Sequence, residues 1–187
     1  MSRQANPYEP LDANLELNVL RSIGGYRPPF RIVRNYHLVD DGAEPEATIV
    51  LEACGRVVHE ADTGVGPIDA LANALKKALT PAFPFIDEVR LVDFAARIHE
   101  SHSGTRAAVE VSILQSDGRE VWRVSQLSRN INEASLHALA DGYEFAIARR
   151  RAHLARAARS VSRRKTERAR RKGGGGKGAS QGRKANS

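Results

Sequence analysis

The chain has 187 residues, with 29 Lys and Arg against 22 Asp and Glu, and a single cysteine, Cys54. That length holds one domain with a real core plus tails. One cysteine excludes an internal disulfide and a cysteine-cluster metal site, and no apolar run approaches the ~20 residues of a bilayer span.

The formal charge of +7 conceals a division. From Arg149 onward there are 15 basic residues and one acid, Glu167, a net charge of +14; residues 1–148 therefore carry −7. The body is acidic and the tail basic, which bears on partners and solubility rather than on architecture. The N-terminal MSRQANPYEP lacks the apolar stretch of a signal peptide. A soluble, cytoplasmic protein without membrane contact is expected.

Residues 1–10 are polar and read as disordered. Leu11 to Ile23 reads as a short helix, with Leu15, Val19 and Ile23 spaced i, i+4, i+8. Gly24-Gly25 ends it, and Pro28-Pro29 holds the chain extended as it leads into the first long strand. Phe30 to Val39 is that strand, Asp40-Asp41-Gly42 a turn and Ala47 to Ala53 a second strand. Cys54-Gly55 turns the chain, and Arg56 to Ala61 runs back. Gly64-Val65-Gly66-Pro67 then leads into a helix from Ile68 to Leu79. Proline suits the first helical position because its missing N–H would have no partner there. Asp69 complements the positive end of the helix dipole.

The second half repeats this order. Val89 to His99 is a strand, Ser101 to Gly104 a loop, and Thr105 to Leu114 a strand with Ala107, Val109, Val111 and Ile113 on one face. Ser116-Asp117-Gly118 is a hairpin turn, Glu120 to Leu127 the return strand, and a helix opens near Glu133. It has no stop signal before the glycines, so the tail is expected to leave as a basic helix. GGGGKGASQGRKANS is low-complexity and expected to be disordered.

Residues 64–75, GVGPIDALANAL, return as SRNINEASLHAL at 128–139. Pro67 pairs with Ile131, Asp69 with Glu133, Ala70 with Ala134, Ala74 with Ala138 and Leu75 with Leu139. The expected fold is α+β: two strand-strand-strand-helix units related by a pseudo-twofold, then the basic tail. The chain then divides into an extension over 1–27, the duplicated domain over 28–150 and the tail over 151–187.

Little catalytic chemistry is encoded. His99 and His102 lie close in sequence without a third ligand, so no metal site is expected. No Ser-His-Asp or Cys-His arrangement can be assembled, no catalytic residue is assigned and no cofactor is expected. The Gly-Val-Gly-Pro turn has two readings. Its glycines let a ligand approach the N–H groups of a helix start, or they serve only a tight strand-to-helix turn. The third glycine of a dinucleotide fingerprint is missing. Trp122, the only tryptophan, reads as core. The basic tail is suited to loose polyanion binding, but has no aromatic residue on which bases could stack.

Several segments together resemble a known family: EATIVLEACGRVVHEADTG (46–64), GVGPIDALANALKKAL (64–79), VRLVDFAARI (89–98), SGTRAAVEVSI (103–113), and the run from Trp122 to Leu139. They are similar to the C-terminal regulatory domain of 2-isopropylmalate synthases and citramalate synthases, over residues 28–150. The resemblance implies a pseudo-twofold fold, a homodimer and a feedback site for a branched-chain amino acid such as leucine or isoleucine. By position it implies a lining of Gly64, Gly66, Pro67, Ala70, Phe94, Ala107, Val109 and Ile131. A helix N-terminus would take the carboxylate, and small or apolar residues the aliphatic side chain.

Two departures qualify these implications. The family's metal-dependent catalytic barrel needs about 250 residues, and 27 residues precede the match. A non-catalytic domain is therefore expected, acting on a separate synthase chain or as the detached subunit of a split enzyme. The family also often has glycine where this chain has Gln126, whose larger polar side chain is expected to narrow or re-purpose the pocket. The alternative is an interaction module with a degenerate pocket and a polyanion-binding tail.

Overall fold

A computed structural model describes residues 9–99 and 107–173. The expectations for residues 1–8, the 101–104 loop, the strand start at Thr105 and the segment beyond Gly173 fall outside them. The chain divides into two compact units after Ala148.

In the first unit the elements run β1 (Leu11–Asp12), α1 (Ala13–Ser22), β2 (Phe30–Val39), β3 (Glu46–Ala53), β4 (Arg56–Thr63) and α2 (Pro67–Leu79). A short 3-10 helix (Pro84–Glu88) comes next, then β5 (Arg90–His99), β6 (Ala108–Ser116), β7 (Val121–Ser128) and α3 (Ile131–Gly173), of which the residues up to Ala148 belong to this unit. The doubled strand-strand-strand-helix order is present. The first sheet is β2-β3-β4, the second β1-β7-β6-β5. Within each triplet the pairings are antiparallel. The 3-10 helix is too short to carry a periodic pattern; Pro84 starts it, and Ile86 is buried.

Turn chemistry sets the hairpin registers. Cys54 and Gly55 both have positive φ, 51° and 75°, so Ala53 pairs with Arg56 across a two-residue turn. At the β6–β7 hairpin, Asp117 Oδ1 accepts the N–H groups of Arg119 and Glu120, both at 2.9 Å. With register fixed, alternation sorts the faces. Ala47, Ile49, Leu51 and Ala53 of β3 point inward, to the side that α2 covers with Leu71, Leu75 and Leu79. Val111, Ile113, Trp122 and Val124 line the inner face of the second sheet. Trp122 is core, as the sequence suggests: its ring lies 5.6 Å from that of Phe145 in α3, a contact of about 1 kcal/mol beyond simple burial. Its Nε1–H donates to buried Gln115 Oε1 at 3.1 Å. Tyr143 of α3 reaches the Ala72 carbonyl of α2, and burial pushes its phenol pKa upward.

Residues 11–22 join this core. Leu11 and Asp12 add a parallel strand beside Trp122 and Arg123. Asn14 continues the pairing with its side chain, donating to the Ser125 carbonyl at 3.0 Å and accepting its N–H at 2.7 Å. α1 forms, but with a different face inward from the one its i, i+4, i+8 stripe suggests. Leu15, Val19 and Ile23 are exposed, while Ala13 and Leu17 are buried. The reason is Arg21, one turn beyond Leu17 on the same face. Its guanidinium bonds Asp141 at 2.5 Å and Glu144 at 2.8 Å, both buried acids of α3. Tyr26 Oη also donates to Glu144, at 2.9 Å. Turning α1 to bury the Leu15 stripe would strip both carboxylates of their cation.

The second unit begins at Arg149 and is helical to Gly173. Residues 151–163 are exposed throughout. Among the described residues, no helix is long and apolar enough to cross a membrane.

Candidate functional site: two strand-to-helix turns

The two repeated turns have a common plan. Each helix carries an acid at its third position that reaches back to the turn. Asp69 Oδ2 accepts the Val65 N–H at 3.1 Å, and Glu133 Oε2 accepts the Ser128 hydroxyl at 2.6 Å. Pro67 and Ile131 open their helices at equivalent positions.

The position before each helix breaks the symmetry. In the second copy Asn130 Oδ1 accepts the N–H groups of Asn132 (2.9 Å) and Glu133 (3.3 Å). That helix start is closed by its own side chain. In the first copy the equivalent residue is Gly66, and no side chain caps α2. Among the described residues, the N–H groups of Ile68 and Asp69 have no backbone or side-chain acceptor. Nothing lies within 4 Å of where a Cβ on Gly66 would stand. Val65 beside it is 97% exposed. The first turn is therefore an open, uncapped helix start with room for an anionic group.

Gly64 does a different job. A Cβ there would stand 2.3 Å from the Ala70 backbone nitrogen, so glycine is required for the turn to pack on its own helix. The sequence leaves both readings of this motif open, and the two glycines divide them: Gly64 serves the turn, Gly66 the opening.

The eight positions implied by the resemblance fall into groups. Gly64, Gly66, Pro67 and Ala70 share the first turn, with Ala70 N–H donating to the Gly66 carbonyl at 3.0 Å. Val109 lies opposite Ser128 at the end of β6 that meets the second turn. Ala107 precedes it, and Ile131, 40% exposed, opens α3. Phe94 pairs with Ile113 farther along the inner face of the second sheet. Among the described residues, no hydrogen bond joins the first-turn group to the others.

Gln126 does not project freely toward a pocket. Its Nε2 donates to Asp141 Oδ2 at 2.6 Å, which places it in the Arg21 network. Sequence reading misses that network because its members lie about 120 residues apart. It also misses the Asn130 cap, which the Asn-x-x-Glu pattern of a capping box signals.

Two surface hollows of about 370 Å³ each lie elsewhere. The one beside the end of α2 has matched charges, with Lys76 3.7 Å from Asp87 and Lys77 3.9 Å from Asp62. Burial, then Arg90, lowers the Lys76 pKa.

Comparison with known proteins bears on the duplicated architecture directly. Residues 11–147 match the family model described as the LeuA allosteric (dimerisation) domain. The chain belongs to that family. Its LeuA domain is 32% identical over 151 residues to the (R)-citramalate synthase of Geobacter sulfurreducens, 34% over 150 to that of Aquifex aeolicus and 31% over 156 to that of Synechocystis. These alignments cover 78%, 78% and 79% of the chain and 28% of each relative. The chain thus spans little more than a quarter of those relatives' length. The match begins at Leu11 and so includes β1 and α1.

The two glycines of the LeuA domain are predicted to respond differently to one methyl group. Gly64→Ala forces a backbone clash and is expected to destabilise by roughly 2 kcal/mol. Gly66→Ala, at φ −152° in open space, is expected to stay within about 0.5 kcal/mol of the parent. Urea unfolding of the two variants measures both.

Proposed function

We propose that the chain is a regulatory module of branched-chain amino-acid synthesis that dimerises and binds a branched-chain amino acid. The single observation that carries the reading is the uncapped start of α2 behind Gly66, whereas the repeated turn at the start of α3 is closed by its own side chains. The amino acid's carboxylate would take the free N–H groups of Ile68 and Asp69, with Pro67 and Ala70 around it. Phe94, Ala107, Val109 and Ile131 would contribute from the second strand set. The target would be a citramalate-synthase-type catalytic barrel, in the same or a separate polypeptide, because the matching relatives are (R)-citramalate synthases. The module itself contributes no catalytic residue and needs no cofactor.

Calorimetric titration with leucine, isoleucine and valine at millimolar concentration is expected to give saturable heat with at least one. Gly66→Val, which fills the opening, is expected to weaken that binding at least tenfold while leaving the fold intact. Absence of heat with all three ends the ligand reading.

A second reading has its own support. Between Arg149 and Gly173 the sequence places 12 basic residues and one acid on a helix, a charge density suited to phosphate neutralisation. In that reading the tail anchors the module to a polyanion. Deleting residues 150–187 is expected to abolish salt-dependent retention on immobilised DNA or RNA, and unchanged retention refutes it.

A further inference from the structure

Among the described residues, the outer face of the second sheet has no element packed on it, and its side chains form an ordered pattern. Ala95, Ser112 and Ser125 pair across β5, β6 and β7 as one central row. Two residues to one side lies the row Asp93, Leu114 and Arg123; two residues to the other lies Arg97, Glu110 and Leu127. Small residues in the middle row leave a shallow hollow of about 370 Å³, with charged side chains at its rims. Asp93 and Arg97 stand on the same strand, one at each end of that row. Among the described residues, neither makes an ion pair.

We infer that this face binds a second copy of the chain, face to face, about a twofold axis lying along the Ala95–Ser112–Ser125 row. The inference rests on the dimer reading above and specifies its surface. Such an axis keeps each strand over its own counterpart and exchanges the two flanking rows. Asp93 of one copy then faces Arg97 of the other, and the pair occurs twice, as an isologous interface requires. Arg123 falls opposite Leu127, whose side chain its aliphatic stem can cover. The central row meets itself, and small residues there allow the sheets to approach the ~10 Å of face-to-face packing. An arginine spans that distance to an aspartate. Across β5, β6 and β7 the four charges of these rows, Asp93, Arg97, Glu110 and Arg123, sum to zero, so the surface that meets its copy is far less acidic than residues 1–148 as a whole, which carry −7. Opposed charges at the rim fix register and partner choice.

Sedimentation equilibrium of the full chain tests this through charge reversal. Arg97→Asp alone places acids at both positions 93 and 97 of each copy, and Asp93→Arg alone places arginines at both. Each variant by itself is expected to dimerise at least tenfold more weakly than the parent. Mixed in equal amounts, the two are complementary at both contacts, and a heterodimer of near-parental affinity is expected. Recovery on mixing shows that both variants are folded. Unchanged dimerisation of the single variants, or no recovery on mixing, overturns this face as the interface. A parent chain that stays monomeric overturns the dimer reading as well, and amino-acid binding is then judged by its own titration.

Discussion

Two buried carboxylates on one helix require a cation, and Arg21 supplies it. Asp141 and Glu144 sit one turn apart on α3, with side chains 13% and 7% exposed. Unpaired buried charges are among the costliest defects a fold can carry. The guanidinium bridges both, and the two acids push its own pKa upward. This one bridge has three consequences. The rotation of α1 is fixed, so Leu17 goes inward and the Leu15, Val19 and Ile23 stripe outward. Residues 11–22 are locked to the second repeat, with Asn14 extending the sheet edge. Gln126, bonded to the same Asp141, is held in the layer between β7 and α3.

That last consequence links stability to function. The duplicated domain has two strand-to-helix turns built alike, each with an acid reaching back from the helix. In the second half, Asn130 caps the helix and Gln126 is engaged by Asp141. In the first half, glycine stands at the cap position and, among the described residues, two N–H groups have no acceptor. The duplication therefore yields one closed turn and one open turn. Binding at a helix start depends on unsatisfied N–H groups, and this asymmetry is what supports the proposal that a ligand's charged end would sit at the first turn.

Local pattern makes most of the elements legible. Alternation in β3 and β6, the Cys54-Gly55 and Asp117-Gly118 turns and Pro67 at a helix start all act over a few residues, and the structure follows them closely. Trp122 is readable as core for the same reason. The orientation of α1 is not readable, because two apolar stripes compete on that helix and the choice is made by Arg21 finding acids some 120 residues away. The site is legible only in part. The Gly-Val-Gly-Pro turn stands out, but its two glycines look alike; only the distance from Gly64 to Ala70 separates a packing glycine from an opening one. The role of Gln126 depends on its partner, which no spacing in the sequence announces.

One cation, Arg21, holds α1 and α3 together through two buried acids. Urea unfolding of Arg21→Met, beside the triple variant Arg21→Met/Asp141→Asn/Glu144→Gln, tests it most directly. Because Arg21 itself is 37% exposed, the single variant is expected to lose roughly 2 kcal/mol rather than the ~3–5 kcal/mol of a fully buried pair. The triple variant, with no buried charge left to compensate, is expected to be the more stable of the two. A single variant as stable as the parent, or a triple variant less stable than the single, would show that Arg21 does not hold the two helices through their buried charges.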